Sequence, residues 1–156
     1  MKNIASKIMN LFPAEEVSAH CDGPCGVYDP ASARIAAEAV LSMTKKMLAL
    51  TPPEGNDNQA WASYLNTMSR YAAIKEEQAT LAKDEVLVLW TDYFKPVHLE
   101  ANPNLHTLIW ETTKLLSACK VEVNLEHAQE MMAKIEEIHN VFWGSKGRDV
   151  TYYTAS

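Results

Sequence analysis

Glycine, cysteine and basic side chains are all scarce in this chain of 156 residues. Five glycines, with alanine, leucine, glutamate and lysine common, favour helix, and no alternating apolar run indicates a sheet. Three cysteines do not make a disulfide framework in a chain of this size. Fourteen Lys and Arg against twenty Asp and Glu argue against nucleic acid as a partner. No apolar run approaches the ~18 residues that span a membrane.

With 47% apolar residues, the chain is expected to fold as one globular, all-α domain. Four amphipathic helices are predicted. They start at Asp29-Pro30, near Asp57, at Asn102-Pro103 and at Asn124, and the last one ends at Gly144. Lys83-Asp84 marks a kink or restart before a segment that ends at Pro96. The predicted inward faces are Ala36, Val40, Met43, Met47 and Leu50; Trp61, Leu65, Met68 and Ala72; Leu105, Leu108, Thr112, Leu115 and Cys119; and Ala128, Met131, Ile135, Ile138 and Phe142.

Short loops between these helices favour an antiparallel four-helix bundle over about residues 30–143, with an N-terminal arm at 20–28 outside it. Residues 145–156 show no periodic pattern and are expected to be loose. Cys119 is expected to be buried. The remaining histidines are predicted to be surface or capping residues: His98, His106, His127 and His139.

The hook, residues 20–28 (HCDGPCGVY), places one histidine and two cysteines within six residues. Thiolate sulfur and imidazole nitrogen select late first-row metals. A Cys-x-x-x-Cys spacing alone is a weak signal, because zinc sites usually show a second Cys/His pair. The residue types predict a hook for one metal ion, while a disulfide between Cys21 and Cys25, or two inert buried thiols, remain open.

This stretch resembles the nickel hook of the nickel-containing superoxide dismutases. His20, Cys21, Pro24, Cys25, Gly26 and Tyr28 stand at the fixed positions of that hook. Two further blocks continue the resemblance, at residues 89–96 (LWTDYFKP) and 105–108 (LHTL), so that it runs from about His20 to about Trp143.

The resemblance implies a superoxide dismutase with one nickel ion that cycles between Ni(II) and Ni(III). His20 would supply its amine and its imidazole, Cys21 its amide nitrogen and its thiolate, and Cys25 its thiolate. Ni(II) favours a square plane of such nitrogen and sulfur donors. The substrate would be superoxide, the products dioxygen and hydrogen peroxide, and the assembly a homohexamer.

Two tyrosines are the candidate catalytic residues under this resemblance. Tyr28 would stand over the open face of the nickel and limit access to small molecules, and Tyr93 would be a second tyrosine near the site. The ordinary alternative for Tyr28 is a half-buried packing residue. Lys95 is a candidate for steering the anionic substrate, or it simply solvates a helix end.

Residues 1–19 are interpreted as a propeptide, since the nitrogen of His20 is an amide until the Ala19–His20 bond is cut. An amide is a far poorer ligand than an amine with a pKa of about 8. A maturation protease would therefore create the site within a domain of residues 20–156. The leader resembles a secretory signal only at Val17-Ser18-Ala19, and polar residues interrupt any apolar core, which favours the cytoplasm.

Two positions depart from the resemblance. The family has a glutamate at the position of Ala36 that hydrogen-bonds the axial imidazole, and an arginine at the position of Gln78 that supports the glutamate. Ala36 either belongs to the core stripe or leaves His20 to another acceptor. Two alternatives to the enzyme remain: a nickel- or copper-binding carrier without turnover, and a helical interaction protein whose hook is a disulfide loop.

Overall fold

The computed structural model describes residues 26–155, and the leader and the predicted ligands His20, Cys21 and Cys25 lie outside the described residues. Five α-helices make up the described chain, and no strand occurs within it. They are α1 (Ala31–Ala49), α2 (Asn58–Val88), α3 (Pro96–Ala101), α4 (Leu105–Val121) and α5 (Leu125–Ser145), with a π-helical turn (Leu89–Tyr93) between α2 and α3. The predicted all-α class is confirmed.

The four long helices form a closed ring in which each helix packs against two others. α1 contacts α2 and α5, and α4 contacts the same two helices. α2 and α4 run antiparallel, as the sequence predicts, because Lys75 contacts Lys120 whereas Lys83, two turns later in α2, contacts Ser117. The last predicted stripe lies entirely in the core, and in the third only Leu115 is partly exposed. Burial of these apolar faces stabilises the bundle.

Side chains cap two helices at the predicted starts, and Asp29 contacts the first amide of α1 from one residue before its N-cap, Pro30. Oδ1 of Asp29 accepts from the Ala31 amide at 2.8 Å. Oδ1 of Asp57 accepts from two amides of the first turn of α2. Oδ1 of Asn124 accepts from the His127 amide at 3.2 Å. Each carboxylate or amide oxygen satisfies donors that have no partner within the helix.

The predicted kink at Lys83-Asp84 is wrong, because α2 continues unbroken to Val88. The irregularity lies one turn later, where the Phe94 amide donates to the Leu89 carbonyl at 2.9 Å in a π-type bond. The start predicted at Asn102 is also displaced. Asn102 ends α3, so α4 begins only at Leu105.

The C-terminal end of α5 differs from the prediction. The helix runs past Gly144 to Ser145, and Gly147, at φ +64°, takes the left-handed position after it. The Arg148 amide donates to the Trp143 carbonyl at 3.0 Å, which completes a Schellman motif.

The tail beyond α5 packs rather than hanging loose. Val150 and Tyr152 lie against the core, and Nε2 of His139 donates to the Val150 carbonyl at 2.7 Å. His139 is therefore a buried residue that holds the tail, not a surface residue.

Part of the predicted inward face of α2 is exposed. Trp61 and Leu65 are 36% and 55% exposed. Lys75, further along α2, already reaches the last turn of α4, so the first turns of α2 extend beyond that helix. Their apolar side chains lack a partner element within residues 26–155 that would cover them fully.

Candidate metal centre

The described chain begins within the hook, at Gly26, and enters the bundle where the hook ends. Gly26, the first described residue, has φ +66°, a left-handed conformation that glycine adopts without strain. Tyr28 follows two residues later and is half-buried against the core. Whatever the hook binds is therefore tethered within a few residues of the Tyr28 ring.

Tyr28 and Tyr93 are in contact, although 65 positions separate them in the chain. Their ring centroids are 5.6 Å apart, with an interplanar angle of 53°. Tyr93 is the last residue of the π-helical turn, and such turns are frequent at functional sites. The structure thus brings the two predicted tyrosines together at the point where the hook joins the bundle.

Aromatic rings and a cation hold Tyr93 in place. Its ring packs on Phe142 at 4.5 Å between centroids and stacks on His98 at 5.4 Å and 15°. The ammonium of Lys146 lies 5.1 Å from the ring centroid. His98 is itself fixed, since its Nδ1 accepts from the Lys95 amide at 3.1 Å. The side chain of Tyr93 is therefore tightly positioned.

The hydroxyl of Tyr93 lies 2.6 Å from Oγ of Ser145 at the end of α5. Sequence reasoning did not find Ser145 or Lys146, because both fall at the start of the segment that was expected to be loose. His98 was interpreted only as a surface or capping residue. His98 lies three residues after Lys95, the residue that precedes Pro96 at the start of α3. This is the spacing at which a side chain can bond the amide of the N-cap residue, as His98 does.

A small cavity of about 250 Å³ lies beside Tyr28. It is lined by Val27, Tyr28, Asp29, Ser32, Glu85, Val88 and Leu89. Lys95, the predicted steering residue, is exposed and precedes α3.

No group of three His, Cys, Asp or Glu side chains within residues 26–155 is arranged to hold a metal ion. The donor set of the hook fits nickel by its chemistry, because thiolates and imidazole suit this ion. The remaining cysteine does not compete. Cys119 is 3% exposed, as predicted, and burial raises the pKa of its thiol to about 11, which keeps it protonated at neutral pH.

Ala36 is 1% exposed and belongs to the core of α1, as one of its two interpretations predicts. Gln78 is half-buried on α2. Of the other predicted surface or capping histidines, His106 is exposed and makes an edge contact with Trp90, and Nδ1 of His127 lies 2.7 Å from Oε2 of Glu122. No helix in the described part of the chain is long and apolar enough to cross a bilayer.

Comparison with known proteins agrees with this geometry. Residues 15–146 match the family model described as nickel-containing superoxide dismutase. The chain is 46% identical over 140 residues to "Superoxide dismutase [Ni]" of Streptomyces seoulensis, covering 89% of this chain and 98% of that protein. The protein of the same name from Streptomyces coelicolor gives the same identity and coverage.

Solved structures give the same result. A crystal structure of Ni-containing superoxide dismutase with nickel ligation of the oxidized state superposes with a TM-score of 0.70 at 45% identity, covering 83% of this chain and 100% of that chain. A nickel superoxide dismutase apo structure superposes with a TM-score of 0.65 at 40% identity, covering 79% of this chain and all of that one. The chain therefore belongs to the nickel-containing superoxide dismutase family.

Proposed function

We propose that His20, Cys21 and Cys25 bind the nickel ion with which this superoxide dismutase converts two superoxide ions and two protons to dioxygen and hydrogen peroxide. Enzyme class and cofactor follow from the family. The observation that supports the assignment of the site is the contact of Tyr28, the last residue of the hook, with Tyr93. When bound, nickel supplies the one-electron exchange, which thiolate donors make accessible.

Tyr28 limits access to the metal, and Tyr93 packs against the Tyr28 ring and supports that ring. Tyr28 is three residues from Cys25, so its ring stays close to any ion that the hook holds. Its packing against Tyr93 keeps the ring from swinging freely. A carrier that exchanges metal needs no such fixed ring, so this arrangement favours turnover over the nickel- or copper-carrier alternative.

Two measurements on the protein that begins at His20 test this assignment. Nickel content by elemental analysis separates a metal site from a disulfide loop, and superoxide decay separates an enzyme from a carrier. One bound nickel per chain with rapid decay is expected. Bound nickel without superoxide decay faster than that caused by free aqueous nickel would instead support the carrier.

Maturation by cleavage between Ala19 and His20 belongs to the same proposal. Before cleavage, the lone pair of the His20 nitrogen is delocalised into the peptide bond, and metal binding there requires removal of an amide proton. A form made uncleavable by Ala19→Trp is compared with the form that begins at His20. Only the second is expected to bind nickel and remove superoxide. Equal activity of the two forms would show that the amine is not a required ligand.

A homohexamer in the cytoplasm completes the proposal. Trp61 and Leu65, exposed on the first turns of α2, offer apolar surface for association. The leader lacks the apolar core of a secretory signal. Light scattering of the cleaved protein is expected to give six chains, and a fully active monomer would contradict the assembly.

A further inference from the structure

The hydroxyl of Ser145 lies between two oxygen atoms. Its Oγ is 2.7 Å from the Phe142 carbonyl oxygen and 2.6 Å from the phenolic oxygen of Tyr93. Both distances are those of good O–H···O hydrogen bonds. The serine therefore links the end of α5 to the tyrosine that packs against Tyr28.

A count of hydrogens decides the direction of these two bonds. Ser145 has one hydroxyl hydrogen, and the Phe142 carbonyl can only accept, so that hydrogen points to the carbonyl. The bond to Tyr93 must then use the phenolic hydrogen, with Ser145 as acceptor. The geometry points to Ser145 as a positioning residue that accepts the phenolic hydrogen of Tyr93. The oxygen of Tyr93 can then only accept hydrogen bonds from molecules at the nickel site.

The surroundings of Tyr93 keep this arrangement in place. His98 stacks on one side of the ring, Phe142 packs against it, and Lys146 lies near the ring centroid. The Schellman motif at Gly147 fixes the turn that carries Ser145. Neither partner can move away from the other without breaking these contacts.

This polarity has a consequence for what Tyr93 can bind. Superoxide carries no hydrogen and can only accept hydrogen bonds, so an acceptor-only Tyr93 offers it none. Water and hydrogen peroxide both carry hydrogens that the Tyr93 oxygen can accept. The inference rests on the proposed position of Tyr93 at the nickel site, and it assigns Tyr93 to water or the peroxide product rather than to the substrate anion.

Raman spectroscopy tests the bond itself on protein without nickel. The intensity ratio of the tyrosine Fermi doublet reports whether a phenolic hydroxyl donates or accepts. Ser145→Ala is expected to change this ratio and Ser145→Thr to restore it, while the same change made in a Tyr93→Phe background has no effect. Ser69→Ala is the matched control, since Ser69 also donates to a backbone carbonyl within a helix, at 2.7 Å. An unchanged ratio in Ser145→Ala overturns the inference.

Inhibition by azide tests the consequence in the nickel-loaded enzyme. Azide is a small anion that, like superoxide, only accepts hydrogen bonds. Ser145→Ala frees the Tyr93 hydrogen, so azide is expected to bind about two- to tenfold more tightly, the worth of one hydrogen bond. Ser145→Thr and Ser69→Ala should match the parent enzyme, and Tyr93→Phe/Ser145→Ala should show no gain.

The two possible failures are distinguishable. If Tyr93→Phe slows superoxide decay but Ser145→Ala leaves azide inhibition unchanged, the role assigned to Ser145 is refuted. If Tyr93→Phe itself leaves superoxide decay unchanged, the proposed position of Tyr93 at the site is wrong. The proposed influence of Ser145 on the reaction is then refuted as well. The Raman comparison measures the hydrogen bond independently of either result.

Discussion

Replacing Lys75 by methionine is expected to destabilise the bundle strongly. Lys75 is 2% exposed, and its ammonium donates to the carbonyl oxygens of Cys119, Lys120 and Glu122. These carbonyls lie at the end of α4, where the helix leaves acceptors unpaired and a positive charge is favourable. Methionine keeps the aliphatic stem but removes every donor.

The magnitude follows from the bonds lost. Hydrogen bonds to a charged group are worth about 1.5–3 kcal/mol each, and the desolvation of the ammonium offsets part of the sum. We expect a net loss of about 3 kcal/mol in the free energy of unfolding. For a chain of this size that corresponds to a fall of roughly 6–12 °C in Tm.

Thermal and urea unfolding followed by circular dichroism at a fixed protein concentration measure this loss. Lys83→Met is the matched control, because Lys83 also lies on α2 and faces α4, but its Nζ donates only to Oγ of Ser117, at 2.9 Å. That control loses one such bond, from a half-buried ammonium that water still reaches, and should lose about 1.5 kcal/mol or less. Equal destabilisation by the two variants would refute the capping role of Lys75.

The pH dependence gives a second check on Lys75. Burial lowers the pKa of its ammonium below the ordinary 10.5. Between the lowered pKa and 10.5 the unfolded chain binds more protons than the folded one, so this group makes stability rise with pH across that window. Lys75→Met should lack this contribution, whereas Lys83→Met should keep it.

Three further predictions concern the hook, the tail and the buried phenol. Cys25→Ser should abolish nickel binding in elemental analysis and Cys119→Ser should retain it, because only the first thiolate is a proposed ligand; full nickel content in Cys25→Ser would refute the ligand set. His139→Leu removes the bond to the Val150 carbonyl, so trypsin should cleave after Arg148 faster than in the parent protein. Burial raises the pKa of Tyr152 to about 12, so stability due to this group is complete below about pH 10 and falls between pH 10 and 12. Tyr152→Phe should lack that fall. Since no described residue bonds the buried Tyr152 hydroxyl, the variant should be at least as stable as the parent at pH 7.

Periodicity and caps were sufficient to predict the bundle. Asp57 and Asn124 are residues whose side chains must cap a helix or face water, and each stands before a long amphipathic run. The π-helical turn at Leu89–Tyr93 could not be predicted in the same way. It depends on one extra residue between two hydrogen-bonded turns, and residue types alone do not reveal such an insertion. The charged pair Lys83-Asp84 indicated a helix break more clearly.

The candidate site was predictable only where residue types carry chemistry. Tyr28 and Tyr93 were found through the two motifs that contain them. Ser145 was not, because its role comes from the direction of a hydroxyl at a helix end that the sequence placed one residue too early. His139 was missed for a related reason: a histidine on an apolar stripe is buried only if an acceptor reaches it, and here the tail supplies the Val150 carbonyl.

The sequence departs from the family resemblance at Ala36 and Gln78, and the burial of Ala36 bears on the first of these positions. Ala36 is 1% exposed among other buried alanines of α1, so a side chain at this position is removed from water. A carboxylate there needs a cation, because a buried unpaired charge costs several kcal/mol. Gln78 carries no charge, so it would not neutralise a glutamate at position 36. A carboxylate at position 36 would therefore call for a cation beside it, and Gln78 is not one.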